Sequence, residues 1–164
     1  MKKIIPILSA AILLLSACSQ NTRVPNSNAA KPAAEKEFFA RMRIDEKIKE
    51  GGAVKLKFTV YNQTDSVKQF CKWHTPFEPL MSKYLDVKDE NGTEVGYQGP
   101  MAKRIMPPPA DSYLKLNPGD SLSVDVDVLK AYPIKKAGKY SIVYTGQNMS
   151  GLVVKDSVVF EYGK

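Results

Sequence analysis

The chain has 164 residues, with 24 Lys and Arg against 17 Asp and Glu, a formal charge of +7, two Cys and a single His. That length allows about one domain with a real core behind a short leader, and one His leaves little material for zinc chemistry or a Ser–His–acid triad. The basic balance is spread along the chain rather than clustered, which suits a membrane surface or an acidic partner and argues against nucleic acid.

The first residues read as a leader. Lys2 and Lys3 precede an apolar run, Ile4 to Leu15, interrupted by Pro6. The run falls short of the ~20 residues that span a bilayer, so it reads as a secretory signal. Leu15-Ser16-Ala17-Cys18 resembles the lipobox of bacterial lipoproteins. The resemblance implies cleavage after residue 17 and acylation of Cys18, which would tie the protein to a lipid bilayer by more than one chain. Ser19, in place of an Asp, favours the outer membrane under the sorting rule of such lipoproteins. Losing Lys2 and Lys3 with the signal lowers the net charge to +5. Residues 18–36 are rich in Asn, Ser, Pro and Ala without apolar periodicity and read as a tether. Cys71 is then left without an intramolecular partner, and between Phe70 and Trp73 it reads as a buried small hydrophobe.

From residue 37 to 164 the pattern is that of one β domain. Phe39 to Ile44 alternates as a strand, with helix as the alternative, and Gly51-Gly52 marks a turn. Val54 to Tyr61 is a period-two run with Val54, Leu56, Phe58 and Val60 on one face. Asn62 to Asp65 is a polar turn, Val67 to Trp73 a strand, and Thr75 to Pro79 a break at two prolines. Tyr84–Lys88 and Thr93–Tyr97 flank Asp89-Glu90-Asn91-Gly92, which predicts a hairpin. Ser112 to Leu116 leads into Asn117-Pro118-Gly119-Asp120, where Pro pre-sets φ and Gly accepts a positive one. Leu122 to Val128 alternates, Ala131-Tyr132-Pro133 reads as a crossing between sheets, Gly138–Tyr144 is a strand, and Val153–Tyr162 closes the chain in two pieces. Seven to nine short strands with regular turns predict an all-β, antiparallel two-sheet sandwich of immunoglobulin-like type.

No nucleotide-binding or nucleophile-elbow sequence is present, and Cys71-x-x-His74 is too little for a metal. The expectation is therefore a binding protein without metal, cofactor or catalysis. The segment Tyr97 to Pro109 stands out. It carries Lys103 and Arg104 between Met101 and Met106, and then three prolines that neither a helix interior nor a central strand accepts. It reads as a stiff extended loop presenting residues 101–106 outward, or as an ordinary long connection whose cations serve solubility.

Three blocks carry a family resemblance: Trp73-x-Thr75-Pro76-Phe77-Glu78; Tyr97-x-Gly99-Pro100-x-x-Lys103-Arg104 with prolines and Asp111 after it; and Leu116-x-Pro118-Gly119-Asp120-Ser121 with Ala131-Tyr132 and Gly138-x-Tyr140. Together they resemble the N-terminal pro-region of bacterial deuterolysin-like zinc metalloendopeptidases, with a weaker likeness to bacterial proteinase-inhibitor sandwiches. The family's His-Glu-x-x-His catalytic domain has no counterpart here. The resemblance thus implies a stand-alone inhibitor of a secreted or periplasmic metallopeptidase. Gly99, Pro100, Met101, Ala102, Lys103, Arg104, Ile105 and Met106 would enter the cleft, with Lys103 and Arg104 as the inserting cations. Trp73, His74, Thr75, Pro76, Phe77 and Glu78 would brace the loop or make a second contact. The alternatives are a non-inhibitory envelope module for assembly or chaperoning, and a ligand-binding sandwich with Tyr61, Tyr97 and Tyr113 as a platform.

Overall fold

The computed structural model describes residues 36–78 and 80–163. The leader, Cys18 and nearly all of the tether lie outside the described residues. The described residues form nine strands: β1 (Phe38–Arg43), β2 (Lys47–Lys49), β3 (Lys55–Asn62), β4 (Lys68–Cys71), β5 (Leu85–Asp89), β6 (Tyr113–Leu116), β7 (Ser121–Asp127), β8 (Gly138–Tyr144) and β9 (Val158–Gly163). One helical turn, α1 (Gln147–Ser150), follows β8. The fold is an all-β, immunoglobulin-like sandwich.

The strands form sheets ordered β1-β3-β7, β2-β9-β8-β5 and β4-β6. The two larger sheets face each other, with Phe58 of β3 and Tyr144 of β8 at 5.4 Å between ring centroids. Alternation on β3 explains the core. Val54, Leu56, Phe58 and Val60 are fully buried, while Lys55 and Lys57 on the opposite face are exposed. On β8 the same period turns Tyr140 and Ile142 inward, with Tyr144 half-buried. The small sheet closes one side, where Phe70 packs on Phe77 at 5.2 Å and on Phe38 at 6.4 Å.

Two side chains tie turns to the strands beside them. Asn62, buried at the end of β3, donates from its amide to the carbonyls of Ser66, Leu116 and Asn117 and accepts from Thr64. It thereby binds its own turn to the turn at 117–120, where Gly119 takes φ 80°. Tyr140 lies near the start of β8 and donates its hydroxyl to the Lys136 carbonyl at 2.7 Å. This is the tyrosine-corner arrangement of immunoglobulin-like sandwiches, present here without a disulfide, since Cys71 is a buried free thiol.

The structure departs from the sequence expectation in three places. The hairpin turn at 89–92 forms, but 93–97 is no strand: it makes one bridge, Lys88 to Glu94, and a bond from Val95 N–H to the Val87 carbonyl. The chain then leaves the sheet because Gln98 donates to the Ala131 carbonyl at 2.7 Å and Tyr97 packs on Tyr132 at 5.4 Å. The sheets are not wholly antiparallel either, since β2 pairs β9 in parallel. Finally, the pair of sheets is supplemented by the third, two-stranded one.

Candidate functional site

The centre of the 97–109 segment has no regular structure, alternates exposed and half-buried residues from 101 to 105, and is fastened from behind. The Tyr97 hydroxyl lies 2.7 Å from the carbonyls of both Leu80 and Pro100 and can donate to either. Ala102 donates its N–H to the Met81 carbonyl at 2.7 Å. Two residues on, the Arg104 guanidinium pairs with Glu78 at 2.5 Å and lies 4.6 Å above the centre of the Trp73 ring. Ala102 and Arg104 therefore point inward, and the odd-numbered neighbours point out. Met101 is 71% exposed, Ile105 82% and Met106 62%, with Lys103 exposed between them.

This geometry corrects the expected roles. Lys103 projects to solvent, but Arg104 does not: its side chain is only 19% exposed and is occupied by a carboxylate and an indole face. A cation so paired is a latch for the segment rather than a group free to enter a partner. Ile105 takes an outward position instead. Gly99 is half-buried and Pro100 exposed at the entry to the segment.

The turn at 73–78 is the other half of the latch. Glu78, 8% exposed, accepts from Arg104 and, through the same oxygen, from the His74 N–H at 3.1 Å. Thr75 is fully buried, donating to the Lys72 carbonyl at 2.6 Å and accepting from Phe77 N–H at 3.1 Å. Trp73 and Pro76 are buried, and Phe77 packs edge-on to Phe58. His74 adopts φ 57°, a left-handed conformation uncommon outside Gly, though His, like Asn, visits it more than most. The Tyr144 hydroxyl donates to its carbonyl at 2.9 Å, and that carbonyl approaches Gly146 so closely that a Cβ there would collide. The turn meets the loop through Glu78 and Trp73, both against Arg104. Met81 and Tyr144, which hold loop and turn, have no sequence signal because their partners are distant in the chain.

Burial dominates the electrostatics here. It pushes the Cys71 thiol above its ordinary pKa, with Glu78 adding to the effect and the Trp73 backbone opposing it. It pushes His74 below its ordinary value, with Glu78 opposing and Arg104 reinforcing. Cys71 is thus a buried thiol whose surroundings disfavour the thiolate. Among the described residues no three His, Cys, Asp or Glu side chains gather to hold a metal ion. Tyr61 stacks on Phe39 at 5.3 Å and Tyr97 is taken up by Tyr132, so Tyr61, Tyr97 and Tyr113 do not share one such stack.

A family model described as an immunoglobulin-like domain matches residues 42–158. The chain belongs to the immunoglobulin-like domain family. No curated protein matches this immunoglobulin-like chain. Two crystal structures of a β-glucosidase from Listeria innocua are similar to it at 11% identity. One is the complex with gluconolactone, with a TM-score of 0.40 over 78% of this chain and 16% of that one. The other is a mutant with laminaribiose, with a TM-score of 0.41 over 87% and 20%. The immunoglobulin-like chain thus spans a fifth or less of those enzymes.

Proposed function

We propose that this protein is a non-catalytic, lipid-anchored envelope module that inserts residues 101–106 into the cleft of a deuterolysin-like metallopeptidase and blocks it. The observation that carries the reading is the alternating segment, fastened from behind and exposing Met101, Lys103 and Ile105. A peptidase cleft binds extended backbone and reads alternate side chains, and a segment already held in place loses little entropy on docking. The sequence blocks shared with the deuterolysin pro-region supply the identity of the target. In this reading Lys103 is the inserting cation, Met101 and Ile105 are its apolar flanks, and Arg104 keeps the segment in shape. Anchoring through Cys18, with the outer membrane as its destination, follows from the lipobox-like leader.

The test is a titration of the protein into such a peptidase from the same organism, following peptide hydrolysis. Stoichiometric loss of turnover, relieved at least tenfold in inhibition constant by Lys103→Ala, is expected if one charge-assisted contact is lost. Undiminished hydrolysis at saturating protein would overturn inhibition. A complex that forms through the same segment without loss of turnover would instead establish the second reading, a docking or chaperoning module, which the exposed apolar side chains of 101–106 also favour.

A further inference from the structure

An uncovered strand edge leaves N–H and C=O groups that another chain can pair. The edges of this domain end differently. On β1, Ala40 donates to the Val153 carbonyl at 2.9 Å and Met42 to the Asp156 carboxylate at 3.1 Å, so 153–156 covers that edge. On β5, residues 93–95 cover the edge through Asp89 N–H to the Thr93 carbonyl and Val95 N–H to the Val87 carbonyl. β2 has three residues, and β4 and β6 four each. β7 has seven, no proline and, among the described residues, no segment hydrogen-bonded to its open side, although Phe77, Leu80 and Pro100 stand beside its last three residues.

The ladder sets which groups are free. Asn62 donates to the Asp120 carbonyl and Val128 to the Val54 carbonyl, both at 2.9 Å, at the two ends of the β3–β7 pairing. Antiparallel bonding alternates, so Leu122, Val124 and Val126 bond to β3, while Ser121, Ser123, Asp125 and Asp127 turn their backbone groups to the open side. Leu122, Val124 and Val126 lie opposite Val60, Phe58 and Leu56 and share their inner face. Leu122 is nonetheless 37% exposed, an apolar layer that stops at the edge.

We infer that β7 is a self-pairing edge, joining two copies of this chain antiparallel about Val124 into one six-stranded sheet. That is the two-fold register which pairs all seven residues. It sets Ser123 opposite Asp125 of the second copy and Ser121 opposite its Asp127, so no Asp meets an Asp. A register centred on Asp125 would oppose Asp125 to itself. Within each copy Lys57 and Lys55 lie across from Asp125 and Asp127, balancing the edge. Leu122 would meet Val126 of the second copy at the mouth of the groove lined by Phe77, Leu80, Pro100 and Val126. A single strand pairing buries less than the roughly 1,200 Å² of a stable interface, so the association is weak and concentration-dependent.

The test is sedimentation equilibrium of the full chain in density-matched detergent, over a concentration series to the solubility limit. The mass should rise from that of one mature copy toward twice that value. Ser123→Asp creates two like-charge oppositions per dimer and should weaken association roughly tenfold, and Ser123→Lys should tighten it by a similar factor. Ser123→Pro should abolish it while leaving the β3 ladder intact, because the N–H it removes faces outward. All three lose the 2.8 Å contact with the Thr59 hydroxyl, so that loss cancels among them. Thermal melts establish folding, and the Asp and Lys variants decide the matter if the Pro variant does not fold. A chain that stays monomeric throughout overturns the inference, as does a dimer indifferent to the charge at position 123.

Discussion

β3 and the 101–106 segment both alternate between inside and outside, yet the segment reverses part of the polarity of β3. On β3 the apolar residues point in and the lysines out. In the segment Met101 and Ile105 point out, and Arg104 points in to Glu78 and Trp73. The first arrangement follows from hydrophobic burial alone. The second works against it: apolar surface stays in water, and a guanidinium is drawn from water at a desolvation cost that its carboxylate partner must offset. A local rule broken in this sense, with a dedicated set of bonds holding it so, is the mark of a surface shaped for something other than folding.

The largest expected effect breaks the β3 side of the contrast. Phe58 is fully buried and touches both Phe77 and Tyr144. Phe58→Ala should cost about 3–5 kcal/mol, the usual price of an emptied aromatic site, read as a lowered urea midpoint at unchanged slope. A loss below about 1 kcal/mol would mean that this face is not where the core's energy lies.

Glu78→Ala attacks the other side. It leaves Arg104 without its carboxylate and His74 N–H without its acceptor. Fully buried pairs cost about 3–5 kcal/mol to break, and with Arg104 partly solvated about 2 kcal/mol is expected. The sharper readout is local. Hydrogen exchange at Ala102, whose N–H is held by the Met81 carbonyl, should accelerate in Glu78→Ala and in Arg104→Ala, while β3 amides stay protected under native conditions. Equal protection of Ala102 in all three proteins would show that the latch does not set the segment's shape.

How much of this was legible followed from the range of the contacts. Strands β3 and β8 could be read because alternation is a local property that burial enforces, and the 117–120 turn because Pro118 and Gly119 carry their own dihedral preferences. Thr93–Tyr97 misled because Tyr97 and Gln98 are taken by Tyr132 and Ala131, a contact no local pattern announces. The prolines marked the 97–109 segment as extended and exposed, but not its parity. Which of Lys103 and Arg104 faces out depends on Ala102 meeting Met81 and on Glu78 lying behind, and a one-residue slip would exchange them.

The smallest effect tests the turn that meets the inverted segment. His74 is half-buried, with Glu78 and Arg104 as its charged neighbours, and burial holds its pKa below the ordinary value. Between the folded and unfolded pKa values the unfolded chain binds more protons, so stability rises with pH there. The contribution is neutral well above the unfolded value of 6.5 and turns unfavourable as pH falls from there through the folded pKa. Melting temperature should thus decline between pH 7.5 and 5.5, and part of that decline should vanish in His74→Asn, since Asn tolerates the same φ and does not titrate. Glu78 opposes the shift, so the His74-dependent part of the slope should steepen in Glu78→Gln, which removes the charge that helps the imidazolium form. An unchanged slope in that variant would place the cause in burial alone, and would separate the turn's electrostatics from its packing.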